Sequence, residues 1–180
     1  MSEKPLLLLD PFPRNQEMVF SESTEQVLRD LGRLVIHFGS RAPDELVEEI
    51  LPEVEVIIGQ TAMPKERLDC APKLRAILNV KANWEPNIDY MEAHARGIHV
   101  LSAAPAMAPA VAEFCLSQAI TLARGLQHAD PLFRNAEEAY GIDGNGKAYS
   151  LYDSTVGLIG YGNLGKSLVP LLRPFQPKIL

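Results

Sequence analysis

The stretch Ser154-Thr-Val-Gly-Leu-Ile-Gly-Tyr-Gly-Asn-Leu-Gly165 decides the fold of the C-terminal part of this chain, because an apolar run leads directly into G-x-G-x-x-G. Residues 155–159 carry no charge, which predicts a buried parallel strand. In a dinucleotide-binding turn, the first glycine permits a tight turn, the second lets the backbone approach a pyrophosphate, and the third lets helix and strand pack closely. These roles fall to Gly160, Gly162 and Gly165.

Apolar residues at helical spacing follow the glycines, from Leu164 to Phe175, and predict a helix whose N-terminal N–H groups face the phosphates. Pro170 falls inside this helix and is expected to kink it or to shorten its regular part. The residues predicted to contact a cofactor here are Gly160, Tyr161, Gly162, Asn163, Leu164 and Gly165.

The same letters also fit a second phosphate-binding motif. Residues 160–167 contain G-x-x-x-x-G-K-S, the phosphate loop of nucleoside triphosphatases, in which Lys166 would reach the β- and γ-phosphates and Ser167 a Mg²⁺ ion. A third interpretation is a strand-to-helix turn whose glycines serve geometry alone. The stretch by itself leaves all three open.

Composition excludes several classes of partner. The chain has 180 residues with 17 Lys plus Arg against 23 Asp plus Glu, a net charge of −6, and no basic run, so no nucleic-acid partner is expected. The apolar run Leu6–Leu9 is too short for a signal peptide or a membrane span. Cys70 and Cys115 are isolated, which indicates a reducing, cytoplasmic setting. The four histidines form no metal-binding spacing, so no metal site is expected.

Strand-like and helix-like segments alternate along the first hundred residues, which predicts an α/β fold with an open parallel sheet and a first domain over 1–103. The predicted strands are Leu6–Asp10, Arg33–Phe38, Val54–Gly59, Leu74–Leu78 and Ile98–Leu101. The predicted helices are Ser21–Leu31, Pro43–Glu49, Pro64–Asp69 and Asp89–Arg96.

A second domain is predicted over 104–180. It should open with a long helix over Met107–His128, whose apolar positions share a broad face. Residues 129–153 have the composition of a surface crossing loop. The first β-α unit of a dinucleotide-binding domain follows, with Lys178–Leu180 beginning the next strand. The ribose-binding acidic residue of such a domain would fall just past Leu180, so this second domain is expected to be incomplete and the chain to be an N-terminal fragment. A family resemblance described below implies that the first domain is incomplete as well.

Four segments in this order resemble the D-isomer-specific 2-hydroxyacid dehydrogenase family, which includes D-3-phosphoglycerate dehydrogenase. They are Asn87-Ile-Asp-Tyr90 with Arg96-Gly-Ile-His-Val100, Ser102-Ala-Ala-Pro105, Val111-Ala-Glu113 with Leu122-Ala-Arg124, and Thr155–Gly165. The resemblance implies a flavodoxin-like substrate domain followed by the start of a Rossmann NAD-binding domain. It also makes the phosphate-loop interpretation the least favoured.

The resemblance further implies hydride transfer between NAD(H) and a D-2-hydroxy or 2-oxo acid, with NADP not excluded. The catalytic Arg, Glu and His would lie after residue 180, so no catalytic residue is assigned in this chain and the chain alone is expected to be inactive. The linking helix is apolar on more than one face, and in the resembling family this segment crosses to a second subunit, so the resemblance implies a homodimer for the complete protein. The alternative is that the extra apolar face packs on a C-terminal segment of the same chain. The alternative from another class is a non-catalytic, dinucleotide-sensing protein resembling a corepressor.

The turn Asn79–Pro86 departs from the family, which commonly has a glycine-rich turn before its N-[IV]-D motif; here the turn is one residue longer and lacks glycine. Within the turn, Lys81 is either a cationic partner for an acidic substrate or a solvated lysine. Trp84 either walls the cleft or packs under the loop. The residues that align with the family's carboxylate-binding backbone are Val80, Lys81, Ala82 and Asn83, with Ala82 also aligned to a cofactor contact.

Overall fold

The computed structural model describes residues 4–180. Contacts between Cα atoms divide the chain into two compact units, Met1–Ala103 and Ala104–Leu180. Each unit has its own parallel sheet, of five strands in the first and two in the second.

The sheet of the first unit has the strand order β2-β1-β3-β4-β5, and all its pairs are parallel. The strands are β1 (Leu6–Asp10), β2 (Arg33–Ile36), β3 (Val54–Gly59), β4 (Ala76–Asn79) and β5 (His99–Ser102). This is the flavodoxin-like order, so the predicted α/β fold with an open parallel sheet is confirmed. The order reverses at β1, which places a topological switch point between β1 and β3.

Five helices connect these strands: α1 (Gln16–Val19), α2 (Glu22–Leu31), α3 (Asp44–Ile50), α4 (Lys65–Asp69) and α5 (Tyr90–Ala95). Side-chain caps begin three of them, since Asn15 accepts from the N–H of Met18 at 3.0 Å, Ser21 from that of Thr24 at 3.3 Å and Asp89 from that of Glu92 at 3.0 Å. The sequence pattern predicts all except α1. A helix of four residues shows no periodicity, although its Asn15 cap is a recognisable start signal.

The core lies on both faces of the sheet. All five residues of β1 are buried, with Leu8 facing one apolar cluster and Leu7 and Leu9 the other. A run of four leucines fits this position because a central parallel strand is covered on both sides. Burial of each such side chain contributes about 2 kcal/mol, so this strand anchors the unit.

The second unit contains three helices before a β-α-β segment. Its elements are α6 (Ala104–Ala123), α7 (Leu126–Arg134), α8 (Gly141–Asn145), β6 (Thr155–Val156), α9 (Asn163–Leu172) and β7 (Lys178–Ile179). Strand β7 pairs in parallel with β6, which confirms that a new strand begins at Lys178. Helix α9 continues through Pro170 and ends two residues later, so its regular part is short.

The predicted bounds of the linking helix, Met107–His128, are wrong at both ends. Gly125 adopts a left-handed conformation with φ of +65° and separates α6 from α7. Helix α6 packs against α9, and the side chains that α6 buries are alanines. Alanine lets two helix backbones approach closely. The larger apolar side chains of the predicted helix are exposed: Val111, Phe114, Leu122 and Leu126.

Two further expectations in this unit are corrected. Residues 129–153 are not one loop, because α7 extends to Arg134 and α8 occupies Gly141–Asn145. The strand expected over 155–159 is limited to β6, and Ile159 is fully exposed. A parallel strand is buried when helices cover both faces and strands flank both sides. Among the described residues, β6 pairs only with β7.

Candidate functional site

The turn after β4 is the first candidate site. Val80 is buried in the apolar cluster that contains Leu9 and Ile58, whereas Lys81 and Ala82 are half-buried and Asn83 is exposed. Within residues 4–180, the backbone N–H groups of residues 81–83 donate no hydrogen bond. The turn thus buries one apolar side chain and leaves consecutive backbone donors available to a ligand.

Lys81 forms an ion pair inside the turn. Its Nζ lies 3.2 Å from Oε1 of Glu85, and both side chains are about one-third exposed or less, at 34% and 28%. Lys81 is therefore neither a solvated lysine nor a free cationic partner for a substrate, because its charge is already paired with a neighbouring carboxylate. The backbone donors therefore carry the anion-binding capacity of the turn.

Trp84 does not pack under the loop. Its side chain is 72% exposed and meets Tyr90 edge-to-face, with ring centroids 4.9 Å apart. The Tyr90 hydroxyl donates to the backbone carbonyl of Glu85. With His94, Ile98 and Val100, the two rings line a shallow cavity of about 240 Å³ on the outer side of the turn.

A buried polar cluster at the carboxyl ends of β1, β3 and β4 was not predicted from the sequence. Its members are Asp10, Gln60, Thr61 and Asn79, each at most 3% exposed. Asp10 accepts from the N–H of Ala42 at 3.0 Å and from Oγ1 of Thr61 at 2.9 Å. The available signal is that a polar residue ends β1 and β4 and directly follows β3.

The cluster closes the switch point between β1 and β3. Besides its side-chain bonds, Asp10 accepts through its carbonyl from the N–H of Gln60 at 3.0 Å, and Arg41 donates to the carbonyl of Gln60. In open α/β sheets, ligands commonly bind outside the carboxyl ends of strands at a switch point. Here protein groups fill that position, so the open backbone donors lie one strand further along, after β4.

The glycine-rich turn of the second unit is the other candidate site. Gly160 has φ of +91°, as a tight turn requires. A Cβ added at Gly162 would meet nothing within 4 Å, so this position is open to a ligand. A Cβ at Gly165 would lie 3.2 Å from the carbonyl oxygen of Gly160, so the third glycine lets the helix approach the turn rather than the strand.

Helix α9 presents its first N–H groups at this turn. Gly162 is its N-cap and supplies no side-chain hydrogen bond, which leaves the N-terminus suited to an anion. An apolar cavity of about 480 Å³ adjoins the turn and is lined by Leu158, Gly160, Tyr161, Val169, Ile179 and Leu180. A pyrophosphate with an adjoining ring system fits this combination of donors and apolar surface.

The phosphate-loop interpretation fits this geometry poorly. Such a loop wraps its backbone N–H groups around the phosphates before the helix begins. Here α9 begins at Asn163, so the three residues before Lys166 are already helical, and Lys166 is exposed in the first turn.

Within residues 4–180, no group of three His, Cys, Asp or Glu side chains could hold a metal ion. Helix α6 is long and apolar enough to cross a membrane by length and composition, a criterion that core helices of soluble proteins also meet.

The predicted site residues fall into two sets. Residues 80–83 form one turn in the first unit, and residues 160–165 form another in the second. Each set is contiguous within its own unit.

Comparison with known proteins gives a consistent set of relatives. The chain is 31% identical over 142 residues to a glyoxylate reductase of Thermococcus kodakarensis, covering 74% of this chain and 42% of the relative. It is 30% identical over 158 residues to a hydroxypyruvate reductase of Thermotoga maritima, covering 86% and 50%. The structure of a phosphoglycerate oxidoreductase from Rhizobium etli matches with a TM-score of 0.78 at 35% identity, covering 98% of this chain and 54% of that one.

The resemblance to D-2-hydroxyacid dehydrogenases is confirmed. No protein-family model matches the chain. The chain spans about half the length of the curated relatives it matches.

Proposed function

We propose that this chain carries the carboxylate-binding turn and the pyrophosphate-binding turn of an oxidoreductase that transfers hydride between NAD(H) and a D-2-hydroxy acid or its 2-oxo acid. The observation that supports it most is the turn before α9, where a left-handed glycine precedes an uncapped helix N-terminus with open space at Gly162. In this proposal the substrate domain is 1–103, and 104–180 holds the linking helix and the start of the dinucleotide-binding domain.

The second unit binds the dinucleotide through its backbone. The N–H groups at the start of α9 hold the pyrophosphate, with the helix dipole favouring its negative charge. The bound nicotinamide ring supplies the hydride acceptor or donor. Since NAD and NADP share the pyrophosphate, residues 160–165 serve either cofactor.

The first unit holds the substrate. The N–H groups of Lys81, Ala82 and Asn83 bind its carboxylate, and the Lys81–Glu85 ion pair limits the net charge of the turn. Relatives named glyoxylate reductase and hydroxypyruvate reductase favour a small 2-oxo acid as the substrate. The whole reaction needs an acid–base group and a carboxylate clamp besides these turns.

Two ligand titrations of the ¹⁵N-labelled chain test this function. NADH should shift the amide resonances of residues 161–165, and oxamate, an unreactive 2-oxo acid analogue, should shift those of residues 81–83. Gly162→Ala should weaken NADH binding at least tenfold because its methyl group enters the open space. Lys166→Ala, on the exposed side of the first turn, is the matched control and should change NADH affinity less than twofold.

The outcomes separate the alternatives. Shifts with NADH but none with oxamate would favour a dinucleotide-sensing protein without 2-oxo acid chemistry. Mg²⁺–ATP binding that is lost in Lys166→Ala would overturn the dehydrogenase proposal in favour of a nucleoside triphosphatase.

The same proposal includes a homodimer that acts in the cytoplasm, without a membrane or nucleic-acid partner. The exposed apolar side chains of α6 support it, since Phe114 and Leu122 are each more than half exposed. Light scattering of the complete protein should give a dimer mass, and Phe114→Glu in that protein should give a monomer. A monomeric mass for the unaltered complete protein at a concentration of about 10⁻⁴ M, which suffices for weak dimers, would contradict this.

A further inference from the structure

The two ends of the 80–86 turn are joined by buried side-chain amides. Asn79 precedes the turn and Asn87 follows it, and Oδ1 of Asn79 accepts from Nδ2 of Asn87 at 3.3 Å. The same oxygen accepts from Nε2 of Gln60 at 3.4 Å. Nδ2 of Asn87 also donates to the carbonyl of Thr61 at 3.1 Å. One oxygen atom thus ties both ends of the turn to the segment that follows β3.

The backbone reinforces this connection. The N–H of Ala103 donates to the carbonyls of both Asn79 and Lys81, at 3.0 and 3.1 Å. At the other end, the N–H of Met63 donates to the carbonyl of Asn87 at 2.6 Å. Residues 82–86 between these anchors have no glycine and belong to no helix or strand.

Stability alone does not account for the amide cluster. The side-chain oxygens Oε1 of Gln60 and Oδ1 of Asn87 are buried without a hydrogen-bond partner in the described chain. Each buried acceptor left unpaired costs about 1–3 kcal/mol, while the two bonds to Asn79 are long. An apolar residue at position 60 would avoid this cost. Buried polar groups of this kind are better explained by the geometry they impose than by net stabilisation.

We propose that Asn79 is a positioning residue: its Oδ1, shared by Gln60 and Asn87, fixes the turn so that the N–H groups of residues 81–83 converge on one carboxylate. This inference rests on the proposed function of the turn. Backbone donors bind an anion well only if they are already oriented, because ordering them on binding costs free energy. A turn without glycine and with one extra residue needs such an anchor at its ends.

Backbone order parameters of the ¹⁵N-labelled chain test the inference without relying on a ligand. In the unaltered chain, Ala82 and Asn83 should have order parameters near 0.85, the value of rigid backbone. Asn79→Leu removes the shared acceptor at similar volume and should lower them below about 0.6. Asn79→Asp keeps the acceptor oxygen, so the order parameters of Ala82 and Asn83 should stay near those of the unaltered chain. Oxamate affinity should fall about tenfold in Asn79→Leu and less than threefold in Asn79→Asp, where tenfold corresponds to about 1.4 kcal/mol.

A second variant keeps the inference testable if Asn79→Leu does not fold. Gln60→Met removes one donor to Asn79 together with an unpaired oxygen, so the chain should remain folded while the order parameters of residues 82–83 decrease. If Asn79→Leu folds and the order parameters of residues 82–83 are unchanged, the positioning role is overturned. If Asn79→Leu does not fold, unchanged order parameters in Gln60→Met overturn it. If the unaltered chain shows a rigid turn that loosens in Asn79→Leu but never binds oxamate, the proposed function fails and the positioning role stands.

Discussion

Strand ends in the two units of this molecule treat the neighbouring backbone N–H groups in opposite ways. At the carboxyl ends of β1 and β3, buried side chains satisfy the backbone, with Asp10 bound by the hydroxyl of Thr61 and the N–H of Ala42. At the carboxyl end of β6, glycines replace side chains and the first N–H groups of α9 stay open. A strand end therefore becomes a ligand site only where the protein leaves its backbone donors unused.

The turn after β4 combines both solutions. Its ends are closed by the amides of Asn79 and Asn87, as at β1, while residues 81–83 keep open donors, as at β6. In the proposed function, this combination lets a turn without glycine present its backbone N–H groups to an anion.

The largest expected difference is between a glycine substitution at the end of β3 and one in the turn after β6. Gly59→Ala should destabilise the chain by about 4 kcal/mol or more, because its Cβ would lie 2.0 Å from the carbonyl oxygen of Asp10. Gly162→Ala, with nothing within 4 Å, should change stability by less than about 1 kcal/mol. Urea denaturation followed by circular dichroism measures both, and equal losses would remove the distinction between a closed and an open strand end.

The second largest effect concerns the carboxylate that closes the first strand end. Asp10→Ala should lower the free energy of unfolding by about 2–3 kcal/mol, because the hydroxyl of Thr61 and the N–H of Ala42 lose their acceptor inside the protein. Asp143→Ala, at an exposed position, is the matched control and should change it by less than about 0.5 kcal/mol. A loss below 1 kcal/mol at Asp10 would mean that water replaces the carboxylate there.

A third contrast lies within α6, between its buried alanines and its exposed large side chains. Ala112→Leu should cost about 1–3 kcal/mol, because the added atoms enter the packed surface that α6 buries. Phe114→Ala should change the unfolding free energy of the monomer by about 0.5 kcal/mol or less, since Phe114 is exposed. Measurement at low protein concentration separates these effects from self-association. A larger loss at Phe114 would show that the phenyl ring packs within the unit.

The smallest expected effect involves a surface carboxylate, that of Asp69 on α4. The hydrogen bond from Arg96, followed by that from Lys65, lowers the pKa of Asp69 below its usual value. A lowered carboxylate pKa stabilises the fold above the unfolded-state pKa, and that contribution is lost as pH falls through the folded-state pKa. NMR titration of Arg96→Gln should show the pKa of Asp69 rising toward its ordinary value. Lys65→Gln should raise the Asp69 pKa less, and an unchanged value in both variants would contradict the ion pair.

Much of the fold follows from local sequence patterns. The run Leu6–Leu9 and the apolar part of Val54–Gly59 predict buried parallel strands because few other elements hide consecutive large side chains on both faces. Ser21 and Asp89 mark helix starts through their caps. The five-strand parallel sheet was therefore predictable, whereas strand ends shifted by one or two residues because pairing with neighbours sets them.

The sequence was less informative about the second unit. The sequence predicts more than one apolar face on α6, but periodicity cannot tell which of these faces packs inward. Contact with α9 selects the alanine face, since small side chains permit close helix approach. Gly125 then ends the helix through a left-handed conformation that no hydropathy pattern reveals.

The sequence by itself determined the succession of the five strands and of helices α2 to α5 in the first unit, the glycine turn at Gly160–Gly165 and the position of the turn at residues 80–83. These depend on residues near one another in the chain, whose conformational preferences are local. Only the tertiary structure decided that Asp10 meets Thr61, that Lys81 is paired with Glu85 and that Asn79 joins Gln60 to Asn87. The contacts of Asp10 with Thr61 and of Asn79 with Gln60 join residues far apart in sequence. Each contact depends on where the folded backbone places its partner, so only folding reveals which polar groups are satisfied and which stay open to a ligand.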